Sequence, residues 1–259
     1  MHAHRTSYYP LLALVAILLP LSACQPAAVV SSPQPTQPSL NGDPAGITLD
    51  YSALAQSVTV ESVAAGPASP DAPYWEAGPQ HRRLTLQSYP VSTHLFKPQI
   101  FVYPVTDLAS TNEAMSKIAT DLQALLQTKQ AGNQLPFLPL VNEAQVLQAQ
   151  VQYLDFKGGK GIRFLTQLAQ GMVAVNNNEL IYTFQGLTSD GKYYIAAILP
   201  VTTPELPADS KLSDEQAKAL NDYPAYRSGM IALLNQQPAG SFTPNLNQLD
   251  TVIRSMEVK

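Results

Sequence analysis

The chain has 259 residues, 45% of them hydrophobic and 13% charged, with 22 prolines, one cysteine and a net charge of −4. That length supplies a sizeable core. The acidic balance excludes a nucleic-acid partner held through its phosphates, and a single cysteine excludes a disulfide framework.

In chain order, His2, His4 and Arg5 give a short basic start, and the nine residues Leu11–Leu19 form an unbroken apolar run between Pro10 and Pro20. This is the order of a secretory signal. Nine residues rise only about 14 Å as a helix, short of the roughly 30 Å hydrocarbon core of a bilayer, so no permanent span is predicted there. Leu21, Ser22, Ala23 and Cys24 follow, and this tetrapeptide resembles the lipobox of bacterial lipoproteins. The resemblance implies cleavage of a signal peptide at residues 1–23, between Ala23 and Cys24, and a diacylglyceryl cysteine with further acylation such as palmitate. A thiol is the nucleophile that such a transfer requires. Each buried methylene contributes about 0.8 kcal/mol, so one chain binds reversibly while several anchor firmly. The alternative is an ordinary signal peptide whose cut site contains a cysteine. Loss of residues 1–23 removes Arg5 and no acidic residue, which leaves a net charge near −5. The acyl group, and not a polybasic patch, is then the membrane contact.

Residues 24–46 carry prolines at 26, 33, 35, 38 and 44 with almost no charge, a tether composition. Extended as polyproline II it reaches up to about 65 Å, and as a coil roughly 25 Å. Residues 47–259 read as a single α+β domain. Alternation at Ile47, Leu49 and Tyr51, at Val58 and Val60, and at Leu84 and Leu86 predicts three half-buried strands. Gln99–Val105, apolar on both faces, predicts a more central strand. Ser110 and Glu113 have capping-box spacing, and Met115, Ile118, Leu122, Leu125 and Leu126 share a helical face that should end near Gly132.

Val146–Phe156, Ile162–Leu168, Leu180–Gln185 and Tyr193–Leu199 read as strands joined by "KGGKG", a stretch ending in "NNNE", and "TSDGK". Connections this short predict an antiparallel meander. Residues 65–79 and 201–212 read as long loops. Near the C-terminus, Ser213 with Gln216 has capping-box spacing, Pro224 suits the first turn of a helix, and Thr243-Pro244 suits an N-cap followed by proline at N1. In the last helix Leu246, Leu249, Val252, Ile253 and Met256 share a face that should pack on the sheet, and Asp250 can pair with Arg254 on another.

This order of early strands, helix, meander ("GKGIRFLTQ" through "ELIYTFQGLTSDGKYYIAAILPV") and closing helix ("LNQLDTVIRSMEV") resembles the PsbP-like α/β/α sandwich. The segments from "IRFLTQ" to "AAILPV" are also similar to uncharacterised lipoproteins of environmental bacteria. The first resemblance implies an exported, non-enzymatic binding or assembly module.

Motifs for specific chemistry are weak. In "KGGKG", Lys160 precedes Gly161 where a phosphate loop needs Ser or Thr, and the flanks predict a hairpin. Beyond the signal, His81 and His94 lack a partner at metal-ligand spacing. There is no G-x-S-x-G elbow, and Asp155, Glu179 and Asp190 adjoin turns. Aromatic clustering says more. Tyr74-Trp75 lies in a proline-rich loop, and Tyr182, Phe184, Tyr193 and Tyr194 fall on adjacent strands, the last two on opposite faces. These rings read either as core packing or, for Trp75, Tyr182, Phe184, Tyr193 and Tyr194, as a ligand or partner surface. The functional expectation is a lipoprotein exported to the outer face of the cytoplasmic membrane or another envelope membrane. It would be non-catalytic, without cofactor or metal, and would bind a protein partner or apolar ligand. The alternative is an envelope hydrolase using loop carboxylates.

Overall fold

A computed structural model describes residues 46–67, 71–130, 132, 134–211 and 213–259, which belong to one compact unit. The signal, Ala23, Cys24 and nearly all of the tether lie outside the described residues. The domain is α+β. Two short strand pairs, β1 (Ile47–Thr48) with β11 (Glu257–Val258) and β5 (Ala144–Gln145) with β8 (Leu168–Ala169), flank a central seven-stranded sheet. The strands of that sheet are β2 (Ser57–Val63), β3 (His81–Gln87), β4 (Gln99–Pro104), β6 (Ala149–Phe156), β7 (Gly159–Thr166), β9 (Ile181–Thr188) and β10 (Tyr193–Pro200). They are wholly antiparallel and lie in the order β2-β3-β4-β10-β9-β7-β6. The helices are α1 (Val105–Thr111), α2 (Glu113–Thr128), α3 (Asp214–Ala219), α4 (Tyr223–Gln236) and α5 (Leu246–Ser255).

The expected meander is present, β6 to β7 to β9 to β10, and β10 then pairs with β4. This last pairing makes "QIFVYP" an interior strand, with Ile100 and Val102 in one core and Phe101 and Tyr103 in the other. One core lies beneath α2 and the segment 135–141. The larger core lies beneath α5, α4 and the N-terminal residues Ile47, Leu49 and Leu54. Burial on both faces explains the near-continuous apolar runs of β9 and β10.

The glycines of "KGGKG" have conformational and packing roles. Gly158 turns the β6–β7 hairpin at φ 82°, a backbone region that favours glycine. A Cβ on Gly161 would stand 2.4 Å from the Phe184 ring and 2.5 Å from the Gln185 carbonyl. The absent side chain makes room for Phe184, which meets Phe156 edge to face at 5.8 Å.

Several local expectations are corrected by tertiary context. Ser110 lies inside α1. The cap of α2 is Asn112, whose Oδ1 accepts from the N–H groups of Ala114 (3.0 Å) and Met115 (3.3 Å). That helix ends at Thr128, before Gly132, because Lys129 adopts the left-handed conformation (φ 59°) and donates its N–H to the Leu125 carbonyl. The first expected strand shortens to Ile47–Thr48, and Asp50 instead opens a turn by accepting from Ser52. Asn245, and not Thr243, caps α5. Pro224 does occupy the first turn of α4, and α3 begins directly after Ser213, while the Gln216 side chain lies outside the described residues.

The largest correction concerns Asp250. It does not face Arg254, which is exposed, but turns inward and is only 2% accessible. There it accepts a hydrogen bond from the Tyr182 hydroxyl (2.9 Å) and lies 3.3 Å from Nε of Arg163, itself 5% accessible. The guanidinium also donates to the Gln150 carbonyl and to Gln152 Oε1 (2.7 Å). Arg163, Tyr182 and Asp250 thus form a buried polar bridge from β7 and β9 to α5. On the other face, Gln185 accepts from the Leu138 N–H (2.9 Å) and the Tyr194 hydroxyl (2.7 Å). Its amide donates to the Leu138 carbonyl (3.1 Å), which fastens the segment 135–141 to the sheet.

Candidate functional site

Alternation along β3 and β4 brings four side chains to one face of the sheet. His81 and Arg83 stand beside Phe101 and Tyr103, because Arg83 pairs with Phe101 across the two strands. The His81 ring centroid is 4.6 Å from that of Tyr103 and 6.0 Å from that of Phe101. Of helix α2 only Met115 lines this end of the sheet. Further cover comes from Pro139 and Leu140 and from the proline-rich loop that carries Tyr74 and Trp75, which Asn112 holds in place. While its Oδ1 caps α2, its Nδ2 donates to the carbonyls of Tyr74 and Ala77, both at 2.7 Å. The Gly66 N–H donates to the Gly78 carbonyl (2.8 Å) and closes the base of the loop.

Between loop and sheet lies a cleft of about 260 Å³, lined by Trp75, His81, Arg83, Phe101, Tyr103 and Met115 among others. Trp75 is half-buried there and meets Tyr74 edge to face at 5.2 Å, with Tyr74 itself 55% exposed. Pro139 and Leu140 are shared with a groove of about 510 Å³ that runs between α2 and the segment 134–145 and also touches Tyr74.

The polar groups of the cleft are largely neutralised. Arg83 donates through Nε (3.0 Å) and Nη2 (2.8 Å) to Glu61 on β2. His81 Nδ1 lies 3.0 Å from the Pro79 carbonyl, a contact that needs the proton on Nδ1 and leaves Nε2 as an acceptor. Burial lowers the His81 pKa below the usual histidine value, the Pro79 carbonyl opposes this, and the Arg83 charge reinforces it. Burial likewise raises the Tyr103 pKa well above that of free tyrosine. At neutral pH the cleft therefore presents mainly rings, a thioether and an uncharged imidazole, with the exposed Glu76 and the Glu61-paired Arg83 also among its lining residues. Such a surface gains chiefly from apolar and aromatic contact.

Of the five rings expected to form a surface, Tyr182, Phe184 and Tyr194 are fully buried and are core residues. Tyr182 and Phe184 belong to the core under α5, and Tyr194 to the core under α2. The reason is that β9 and β10 are interior strands covered on both faces. Tyr193 is half-buried at the end of the sheet, beside a second space of about 270 Å³ that His81 also lines. Trp75 alone of the five lines the ring cleft. Its companions Phe101 and Tyr103 could have been found from the alternation within "QIFVYP", whereas His81 had no sequence signal beyond its place in a strand.

The other motif residues are dispersed. Asp190 is exposed in the β9–β10 turn, where the Thr188 hydroxyl and the backbone N–H and side chain of Lys192 hold its pKa at about 2. Asp155 is exposed on β6, and Glu179 sits in a turn before β9. His94 binds the Leu180 carbonyl (2.9 Å) and accepts from the Phe96 N–H (3.0 Å), which ties the loop before β4 to the start of β9. Among the described residues no three His, Cys, Asp or Glu side chains converge as a metal set, and no helix is long and apolar enough to cross a membrane. No protein-family model matches the chain, nor does any curated protein or solved structure.

Proposed function

We propose that this protein is a lipoprotein of the cell envelope. Lipid on Cys24 holds it at the outer face of the cytoplasmic membrane or another envelope membrane, and residues 24–46 act as the tether. The domain from residue 47 is a non-catalytic binding module that takes a protein partner or an apolar ligand in the ring-lined cleft. A PsbP-like relationship, resting on element order, belongs to the same reading. The observation that carries it is the grouping of Trp75, His81, Phe101, Tyr103 and Met115 around one accessible cleft whose arginine is already paired. Confinement near a membrane lets even a weak site meet its partner often.

Two experiments test the two halves. Mass spectrometry of the purified mature protein should show an acylated N-terminal Cys24, and Cys24→Ser should be released or left unprocessed; an unmodified thiol in the membrane fraction would defeat the anchor. For the cleft, a photo-crosslinking residue at Tyr74 should give a discrete adduct in the native envelope. The same residue at Val151, exposed on the far edge strand β6, should not. Equal labelling at both positions, or none at Tyr74, would remove the cleft from the proposal.

A further inference from the structure

The two edges of the seven-stranded sheet are finished differently. At β6 the edge is blunted. Gln150 has left-handed backbone (φ 53°) within a bulge, its N–H donates to Asn235 Oδ1 (2.6 Å), and its side chain donates to the Leu234 and Gln237 carbonyls (2.8 Å each). The end of α4 thereby covers that edge. At β2 nothing comparable occurs. Its seven residues, SVTVESV, run in unbroken register against β3, from Ser57 opposite Gln87 to Val63 opposite His81. The strand has no proline, no lysine and no bulge, and none of its residues is buried. Among the described residues, every hydrogen bond it makes leads inward to β3 or to Gln80. A regular open edge of this kind is a template for another strand.

We propose that β2 pairs antiparallel with β2 of a second copy of this chain, so that one sheet runs through both protomers about a two-fold axis. The strand's own sequence favours this occupant. In the register that uses all seven residues, Val60 lies opposite its own copy, Ser57 opposite Val63, Val58 opposite Ser62 and Thr59 opposite Glu61. Glu61 is the only charge on the strand, and it meets a threonine and not a second glutamate. Within its own protomer it is paired with Arg83, an exposed contact that offsets its charge only in part. The symmetric pairing therefore sets no like charges face to face. On the opposite face, the half-buried Val58 and Val60 pack against the larger core, and pairing would cover them further. The interface is isologous and closes on itself as a dimer. It adjoins the cleft, which Val63 also lines, but it does not rest on the cleft's ligand.

The test uses the full chain carrying Cys24→Ser, so that an introduced cysteine is the only thiol. Val60→Cys should give a covalent dimer on mild oxidation, because facing residues of an antiparallel pair have Cα atoms about 4.5–5.5 Å apart, within disulfide range. Ser57→Cys should not, since its copy would lie about 20 Å away along the strands. Charge then checks the register. Thr59→Glu sets glutamate against Glu61 at two symmetric places and should weaken dimerisation about tenfold, as read by sedimentation. Thr59→Lys, with similar strand propensity but opposite charge, should preserve or tighten it. Matched melting curves of the two variants confirm that the exposed substitution leaves the fold intact. A chain that remains monomeric at its highest attainable concentration would overturn the proposal. So would a dimer indifferent to Thr59→Glu, or an edge that captures a strand from a different protein in place of its own copy.

Discussion

Replacing Asp250 by asparagine removes one charge and almost no volume, from a site where that charge has one buried counterpart. The amide oxygen of the new side chain would still accept from Tyr182. Arg163, 5% accessible, would keep its bonds to the Gln150 carbonyl and Gln152 but lose the one carboxylate it meets among the described residues. Breaking a buried pair from one side costs about 3–5 kcal/mol, because the remaining ion is desolvated without compensation. The lower end applies here: Arg163 Nε is within ion-pair distance of Asp250 yet out of hydrogen-bond alignment. A loss of about 3 kcal/mol, with a urea slope of about 3 kcal/mol/M for a domain of this size, lowers the unfolding midpoint by about 1 M. In a thermal scan the same loss is about 6–12 °C. The triple replacement Arg163→Met, Asp250→Leu, Tyr182→Phe removes every charge and the hydroxyl together, and should recover most of the loss. Urea titrations of the wild type, Asp250→Asn and the triple variant decide the matter. A cost below about 1 kcal/mol for Asp250→Asn, or a triple variant no more stable than the single one, would mean that the buried pair does not hold α5 to the sheet in this way.

Two further outcomes follow from local geometry. Gly161→Ala should destabilise by about 1–3 kcal/mol through overpacking against Phe184. Gly171→Ala, where an added Cβ meets nothing within 4 Å, should be nearly silent in the same urea titration. The imidazoles of His81 and His94 are both held below the usual histidine value, by burial first. Their neutral forms are favoured by folding, so the stability they contribute is present above about pH 6.5 and is lost as pH falls through the lowered folded pKa values. Protonated His94 would also direct a second N–H at the Phe96 N–H. Comparing urea midpoints at about pH 7.5 and pH 5, His94→Gln should lose less than the wild type; an equal or greater loss would show that His94 is not part of the acid response.

The elements of this domain are largely written in short-range pattern. The alternation of Leu84 and Leu86, the stripe from Met115 to Leu126, the Asp190-Gly191 turn and the glycine tip at Gly158 each depend on neighbours a few residues away, and each appears in the fold. Helix ends are less legible, since the spacing of Ser110 and Glu113 is as good as a cap can look, yet Asn112 also reaches the loop carbonyls and takes the role. Chain order alone also determined the meander, because loops as short as those of "KGGKG" and "TSDGK" allow only antiparallel neighbours.

Which distant groups meet is settled only when the whole chain packs. Arg254 is the sole partner that helical spacing offers Asp250, because such spacing shows contacts within one element. The rotation of α5 that buries Leu249 and Val252 carries Asp250 inward to Arg163 on β7. The same holds for the cleft. Its rings come from a loop and two strands and its thioether from a helix, and they share a wall because β3 and β4 lie side by side in the sheet. Periodicity reports which side of an element is apolar. It carries no information on what lies opposite, and that depends on the free energy of the whole packed arrangement.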